Sequence, residues 1–200
     1  MNSNVADSRF DHASSGYPAH LLSAARLPGG TAIVIRPIRA EDDALERDFI
    51  CSLSNETRYN RLLSGRTLTP EEIRRLTRID YDREMAFIAV SADGGRARLL
   101  GVGRYVRDDR GAEFALVVAD AWQHQGIGRL LLETLLWHAH LAGIARLHGI
   151  TLATNQPMQN LARKLGFVQK HDPQDATVRR LEKTLETGMS PERMALLMIQ

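Results

Sequence analysis

Residues 84–142 contain three apolar segments joined by short polar turns, and then a glycine pair that leads into a leucine-rich segment. The apolar segments are EMAFIAV, RLLGVGRYV and AEFALVVAD, and the turns fall at residues 93–95 and 108–111. Turns this short join strands that run antiparallel to one another. The sequence therefore predicts a meander of three antiparallel strands, followed by a loop and a helix.

Further helices and strands are predicted on both sides of this meander. Thr69, Pro70 and Glu72 form the capping pattern of a helix start, and Gly143 is a natural helix end. The predicted order is a strand at residues 31–36, helices beginning at 41–43 and 69–72, the meander, a helix at 126–142, and then a strand, a helix and a last strand in ARLHGITLA, QPMQNLARKLGF and TVRRLEKTL. This order predicts a mixed α+β fold.

A chain of 200 residues is long enough for one domain with a substantial core. Residues 1–16 are rich in Ser, Asn, Asp and Ala, and we interpret them as a flexible arm. We interpret residues 17–185 as the domain. Residues 186–200 contain a Ser-Pro-Glu cap before RMALLMI, and we expect a short helical tail there.

Charge and hydropathy argue against several classes of partner. The net charge is only +2 and the arginines often stand beside acids, so we expect no nucleic-acid partner. No apolar run is long enough to span a membrane, and the N-terminus lacks the features of a signal peptide. The single cysteine, Cys51, lies in FICSL and is expected to be a buried small hydrophobe. We therefore expect no internal disulfide, no metal site and a cytoplasmic location.

Gln123, Gly126 and Gly128 form the pattern Q-x-x-G-x-G between a predicted strand and a predicted helix. Glycines at this point leave the first N–H groups of the helix uncovered, and such groups bind phosphate. The dinucleotide fingerprint needs a third glycine where Leu131 stands, and a P-loop needs a lysine that this stretch lacks. A third kind of phosphate loop remains, or a helix start that only needs tight packing.

The pattern resembles the coenzyme A pyrophosphate loop of GNAT N-acetyltransferases. ITLATN with Asn155 and LARKLGF with Gly166 and Phe167 follow in that family's order, over roughly residues 31–170. IVIRPIRAEDD, LSNETRYNRLLS and AEFALVVADAWQHQGIGR further resemble the acetyltransferase domain of bacterial protein lysine acetyltransferases, which modify AMP-forming acyl-CoA synthetases. The resemblance implies a single-domain GNAT fold, with a mixed, largely antiparallel sheet flanked by helices.

The resemblance also implies acetyl-CoA as co-substrate and a set of residues that bind it. Leu116, Val117 and Val118 would pair through their backbone with the pantetheine arm. Asn155 would hydrogen-bond the same arm or cap the next helix. The loop residues expected at the pyrophosphate are Gln123, His124, Gln125, Gly126, Ile127, Gly128 and Arg129.

Acetyl transfer to a lysine needs a base, because the amine has a pKa near ~10.4 and is protonated at pH 7. Glu113, in the strand before the loop, stands where protein-acetylating relatives often have a glutamate. Glu84, at the start of a neighbouring strand, is the rival. Ala162 stands where many GNAT enzymes have a tyrosine that protonates the leaving thiolate, so we expect no dedicated acid there.

Three functions remain open at this point. The chain transfers acetyl groups directly to a protein lysine, with an acyl-CoA synthetase as the expected acceptor; or it acetylates a small amine; or it binds acyl-CoA without turnover. Many relatives carry a large regulatory domain, for which 200 residues leave no room. We therefore expect regulation to be absent or to come from a partner protein. The sequence determines neither the acyl-chain preference nor the oligomeric state.

Overall fold

The computed structural model describes residues 16–64, 66–91 and 97–186. Within them, eight strands form one sheet in the order β1-β2-β3-β4-β5-β6-β8-β7. Neighbouring strands are antiparallel except β5 and β6, which are parallel. The predicted mixed α+β class with a largely antiparallel sheet is confirmed. The strands are β1 (Ser23–Arg26), β2 (Ala32–Pro37), β3 (Glu84–Ser91), β4 (Arg98–Asp108), β5 (Gly111–Val118), β6 (Arg146–Leu152), β7 (Val168–His171) and β8 (Val178–Thr184).

Two helical layers cover this sheet. The helices are α1 (Asp43–Ser52), α2 (Asn55–Leu62), α3 (Pro70–Thr77), α4 (Ile127–Leu141) and α5 (Gln156–Lys164). The first three lie on one face, and α4 and α5 lie on the other. None of the helices in the described part of the chain is both long and apolar enough to cross a membrane.

Glycines in β4 allow α4 to pack closely on the sheet. A Cβ at Gly101 would lie 3.1 Å from Leu131, and one at Gly103 would lie 3.0 Å from Leu135. Both leucines are completely buried. The leucine-rich segment after the glycine loop is therefore held in the core, and its N-terminal end has a fixed position.

The sequence correctly predicted most of these elements. β3, β4 and β5 form the expected meander, with Val106 of β4 in register with both Glu84 and Glu113. The capping box of α3 is present, because Thr69 Oγ1 accepts a hydrogen bond from the Glu72 N–H (3.2 Å) and Glu72 accepts one from the Thr69 N–H (2.8 Å). The predicted turn at 93–95, and nearly all of the predicted arm and tail, lie outside the described residues.

Three elements were not predicted, and one burial prediction was wrong. β1, α2 and β7 have four to eight residues each, and none has a fully buried apolar run that would mark it in the sequence. Cys51 is exposed, not buried. The reason is the period of α1, which turns Glu46, Phe49 and Ile50 toward the sheet and leaves Cys51 on the outer side.

His138 lies in the last turn of α4, where it packs against strands β3 and β4. A hydrogen bond of 2.8 Å joins its Nδ1 to Tyr105 Oη, and its ring packs edge-on against Phe87. Burial lowers the pKa of His138 to about 4, and the charge of Arg107 adds to the shift. The ring is therefore neutral in the folded protein at neutral pH.

This neutral histidine makes stability depend on pH. An unfolded histidine has a pKa of about 6.5, so its depressed folded pKa contributes stability that is fully present above that pH. The contribution is lost as the pH falls from about 6.5 toward about 4. We expect Tm to fall more steeply between pH 7 and 5 in the wild type than in His138→Gln, which retains an acceptor for Tyr105. Equal slopes in thermal unfolding scans would contradict this.

Candidate active site

β5 and β6 part from each other after the third residue of each strand. They are in register only at Ala112 with Leu147 and at Glu113 with His148. β5 continues along β4 as far as Val118, so its other edge faces an open cleft. Parallel strands that diverge in this way leave backbone groups available to a ligand that lies between them.

Gly149 lies where the two strands begin to separate. A Cβ at this position would come within 2.9 Å of both the Phe114 carbonyl oxygen and its ring. Backbone this close cannot move aside without shifting a strand. The absence of a side chain at Gly149 is therefore what lets β6 approach β5 just before the cleft opens.

The backbone of β5 presents N–H groups to this cleft. The Ala119 N–H donates to the Leu100 carbonyl oxygen of the strand on the other side (2.8 Å). Because successive N–H groups of a strand alternate in direction, Val117 also points toward β4, whereas Leu116 and Val118 point into the cleft. Of the three residues expected to pair with a pantetheine arm, two have their N–H groups on the required side.

The glycine loop lies at the mouth of the same cleft and is held by its own side chains. Gln123 Nε2 donates to the Val118 carbonyl oxygen (3.1 Å) and to Thr57 Oγ1 (3.2 Å), and Gln125 Nε2 donates to the Ala121 carbonyl oxygen (3.1 Å). The side chains of both glutamines thus bind the protein, which leaves the loop backbone to face a ligand.

Two residues of the loop have left-handed backbone conformations, His124 with φ of 60° and Gly126 with φ of 90°. Gly126 is the N-cap of α4 and offers no side chain to the N–H groups of the first turn. Such groups, together with the helix dipole, favour an anion. A Cβ at Gly128 would lie 3.5–3.7 Å from Leu161, Val118 and Leu116, so any larger side chain would project into the cleft.

A cavity of about 720 Å³ lies in front of this loop. Asn155 lies on its far wall, where its side chain caps α5 by accepting a hydrogen bond from the Met158 N–H (3.1 Å). Arg129 lines the cavity and pairs with Glu133 of the same helix (2.7 Å). The predicted cofactor residues that line it are Leu116, Val117, Val118, Gln123, His124, Gly126, Gly128, Arg129 and Asn155.

Glu113 lines a second cavity of about 320 Å³ that adjoins the first. Its side chain is exposed and lies on the sheet face that carries α1, α2 and α3. The two cavities share five lining residues, which are Asn60, Arg61, Leu116, Asn155 and Met158. A ligand that runs along β5 from the glycine loop therefore ends beside Glu113.

Glu84 lies on the same face but apart from both cavities. Val106 of β4 lies between Glu84 and Glu113, so their backbones are two strand spacings, or about 10 Å, apart. Burial raises the pKa of Glu84, and the charge of Asp80 acts in the same direction while Arg104 opposes it. The geometry therefore favours Glu113 over Glu84 as the group that meets an acceptor.

Asp120 fixes α2 to the segment that leads into the loop. Its carboxylate accepts hydrogen bonds from the Ser54 N–H (2.9 Å), the Ser54 hydroxyl (2.6 Å) and the Thr57 hydroxyl (2.7 Å). Burial raises the pKa of Asp120, but these hydrogen bonds outweigh it and the net shift is downward. The helix that carries Asn60 and Arg61 is thus held over the cleft.

Residues 32–168 match the Acetyltransferase (GNAT) domain family. The chain belongs to the GNAT acetyltransferase family. It is an acyl-CoA-dependent N-acetyltransferase of the GNAT fold. In the described residues, no group of three or more His, Cys, Asp and Glu side chains is placed to hold a metal ion.

Comparison with individual proteins also places the chain among GNAT acetyltransferases. An acetyltransferase of Pseudomonas aeruginosa is 35% identical over 154 residues, which cover 76% of this chain and 83% of the relative. The acetyltransferase Pat of Mycolicibacterium smegmatis is 29% identical over 70% of this chain, but the match spans only 42% of Pat. The crystal structure of the GNAT domain of S. lividans PAT superposes with a TM-score of 0.75 at 28% identity, covering 85% of this chain and all of that domain.

The structure thus brings most of the predicted site residues together around two adjoining cavities. Three do not line either cavity: Glu84, Gln125, whose side chain binds the Ala121 carbonyl oxygen, and Ile127, which is completely buried in the core. Sequence reasoning missed the contribution of α2, which supplies Asn60 and Arg61 to both cavities. Ser54 was the available signal, because its side chain caps α2 by accepting from the Thr57 N–H (3.1 Å). The helix itself is polar and has no fully buried residue, so its pattern gave no second signal.

Proposed function

We propose that this enzyme transfers an acetyl group from acetyl-CoA directly to the amine of a protein lysine, with an AMP-forming acyl-CoA synthetase as acceptor. The observation that carries the proposal is the position of Glu113. This carboxylate is exposed in a cavity that adjoins the one in front of the glycine loop. The similarity to two Pat-type enzymes supports a protein acceptor.

The residues around the larger cavity fit coenzyme A. The first turn of α4 would hold the pyrophosphate through its uncovered N–H groups, with His124, Arg129 and Lys164 at the same cavity. The N–H groups of Leu116 and Val118 would hold the pantetheine arm as an added strand. Gly128 has no side chain, and the space that this leaves beside Leu161 would admit the pantetheine arm.

Glu113 would act as the general base. It would accept a proton from the acceptor ammonium, so that the neutral amine attacks the thioester carbonyl carbon. The carbon–sulfur bond then breaks, the sulfur departs as thiolate, and the nitrogen loses its second proton to water or to that thiolate, which leaves the neutral amide. N–H groups of β5 would polarise the same carbonyl. In direct transfer no residue carries the acetyl group, and exposed Cys51 forms no acyl intermediate. The single cysteine is consistent with a cytoplasmic location, which we also propose.

The test follows release of free CoA from acetyl-CoA, with an acyl-CoA synthetase as acceptor. The matched control is the same synthetase with its lysines blocked by reductive methylation. We expect release only with the unblocked protein, mass addition on a lysine, and intersecting double-reciprocal plots, because direct transfer requires both substrates to be bound together. Release with small amines alone would indicate a small-molecule enzyme, and CoA binding without any release would indicate a binding module.

A further inference from the structure

Arg61 lies near the end of α2 and lines both cavities. It is partly buried, yet its guanidinium forms no hydrogen bond or ion pair with any residue in the described ranges. A guanidinium has five N–H donors and normally meets carboxylates or carbonyls when it leaves water. Arg61 therefore presents unused donors to the space where the two cavities join.

The surroundings of Arg61 oppose its charge. Burial, and then the nearby charge of Arg104, lower its pKa to about 10, whereas Glu46 and Glu113 act in the opposite direction. Glu46 lies 3.9 Å from Arg104, so its charge is shared with a second arginine. Holding a cation in this place without a close partner costs free energy, and a bound anion would offset that cost.

The charges that line the smaller cavity show what kind of anion fits. They are those of Arg61, Arg66 and Glu113. Arg66 is already paired, because its Nη1 lies 2.6 Å from Glu72 Oε1. Arg61 and Glu113 remain as two opposite charges in one cavity, and neither forms an ion pair with a described residue. Such a cavity is complementary to a ligand that has an amine at one end and an anion close to it.

We propose that Arg61 binds a carboxylate of the acceptor while the acceptor's amine lies beside Glu113. The inference rests on the proposed function and narrows its substrate class: the modified amine has an acidic group next to it. That group is the side chain of an Asp or Glu beside the acceptor lysine; a preference for the carboxylate of a free amino acid would instead indicate a small-molecule acceptor. Arginine suits this role because its planar fork binds both carboxylate oxygens at once.

The phosphates of coenzyme A are not the anion in this assignment. The loop at α4 is the phosphate site, and His124, Arg129 and Lys164 line the cavity there. The charged groups that act on Arg61 are Arg104, Glu46 and Glu113, all on the sheet face opposite α4. Arg61 therefore belongs to the acceptor end of the cleft.

The experiment compares acceptors that differ only in the carboxylate. One pair is two short peptides with a single lysine preceded by Asp or by Asn, and the other pair is free lysine and lysinamide. Each is assayed by CoA release with the wild type, Arg61→Gln, Arg61→Lys and the control Arg66→Gln. Arg66 lines the same cavity but is paired with Glu72, so it tests for a general effect of removing positive charge.

In the wild type, we expect kcat/KM to favour the carboxylate member of at least one pair by roughly 10- to 100-fold. That preference should fall to about 1 in Arg61→Gln, be reduced in Arg61→Lys and persist in Arg66→Gln. The pair that shows it identifies the source of the carboxylate. Arg61→Gln should unfold at or above the wild-type Tm, because it removes an unpaired charge; a large fall in Tm would overturn the proposal by assigning Arg61 a structural role.

Failure of this inference is distinguishable from failure of the proposed function. Equal turnover of both members of each pair by the wild type, or a rise in the KM for acetyl-CoA alone in Arg61→Gln, overturns the role of Arg61 and leaves acetyl transfer intact. If no acceptor is turned over, calorimetry of the CoA-loaded protein with the same peptides and amino acids decides the matter. Binding that needs both the carboxylate and Arg61 upholds the inference, and binding without that preference overturns it.

Discussion

Replacing Glu113 with glutamine is expected to lower kcat for acetyl transfer by roughly 10²- to 10⁴-fold, the range typical of a lost general base. Glutamine has nearly the same shape and keeps a hydrogen-bonding carbonyl, but it cannot accept the proton of an ammonium group. Glu113 is exposed and forms no ion pair within the described residues, so the fold should not change. CoA binding measured by calorimetry should stay within about twofold of the wild type.

Two controls make this result specific. Glu84→Gln removes a carboxylate from the same sheet face, two strands away, and should change kcat far less. The residual rate of Glu113→Gln should rise with pH up to about 10, since more of the lysine amine is then neutral without help. If Glu84→Gln caused the large loss and Glu113→Gln did not, the base would be Glu84.

Gly149→Ala should destabilise the protein by about 1–3 kcal/mol, as overpacking of a filled site does. The added Cβ would lie 2.9 Å from the Phe114 carbonyl oxygen, which is backbone and cannot rotate away. A loss of this size lowers Tm by roughly 2–4 °C per kcal/mol in a chain of this length. Because the methyl group forces β5 and β6 apart at the base of the cleft, CoA should also bind more weakly below the unfolding transition.

Gly29→Ala is the matched control for Gly149→Ala. A Cβ at Gly29 meets nothing within 4 Å, and we expect a change within about 0.5 kcal/mol. Thermal unfolding and CoA titration of both variants measure the two effects together. If Gly149→Ala kept the Tm and the CoA affinity of the wild type, the prediction would be wrong. The close contact between Gly149 and Phe114 would then not determine how β5 and β6 separate.

The fold was predictable wherever a segment has its own periodic pattern. The three strands of the meander are apolar segments separated by short polar turns, and glycines mark the start or end of α4 and α5, so these elements could be assigned before any contact was known. β1 has only four residues, and its backbone is ordered by pairing of Ser23 with Ile35 and of Arg26 with Ala32. A strand formed by its partner leaves little signal of its own.

The residues of the site also fall into those that the sequence could predict and those that it could not. The glycine loop and the strand before it are continuous in sequence, so the pattern that predicts the loop also locates the cofactor residues. Glu113 could be selected because it lies in the strand before the loop, where the resemblance to protein-acetylating relatives implies a glutamate. Arg61 could not be selected, because an arginine near the end of a polar helix is ordinary. Its position matters only through the fold, which brings it beside a strand some fifty residues later.

Asp120 joins the two halves of the site, since it holds the start of α2 and begins the segment that leads into the glycine loop. We therefore expect a shift of that loop on cofactor binding to move the start of α2, the helix that carries Asn60 and Arg61. Linkage requires such an effect to be reciprocal: if acetyl-CoA tightens the acceptor's binding, the acceptor tightens that of acetyl-CoA by the same factor. We expect ordered addition with acetyl-CoA first, and slow hydrolysis of the thioester until an acceptor arrives.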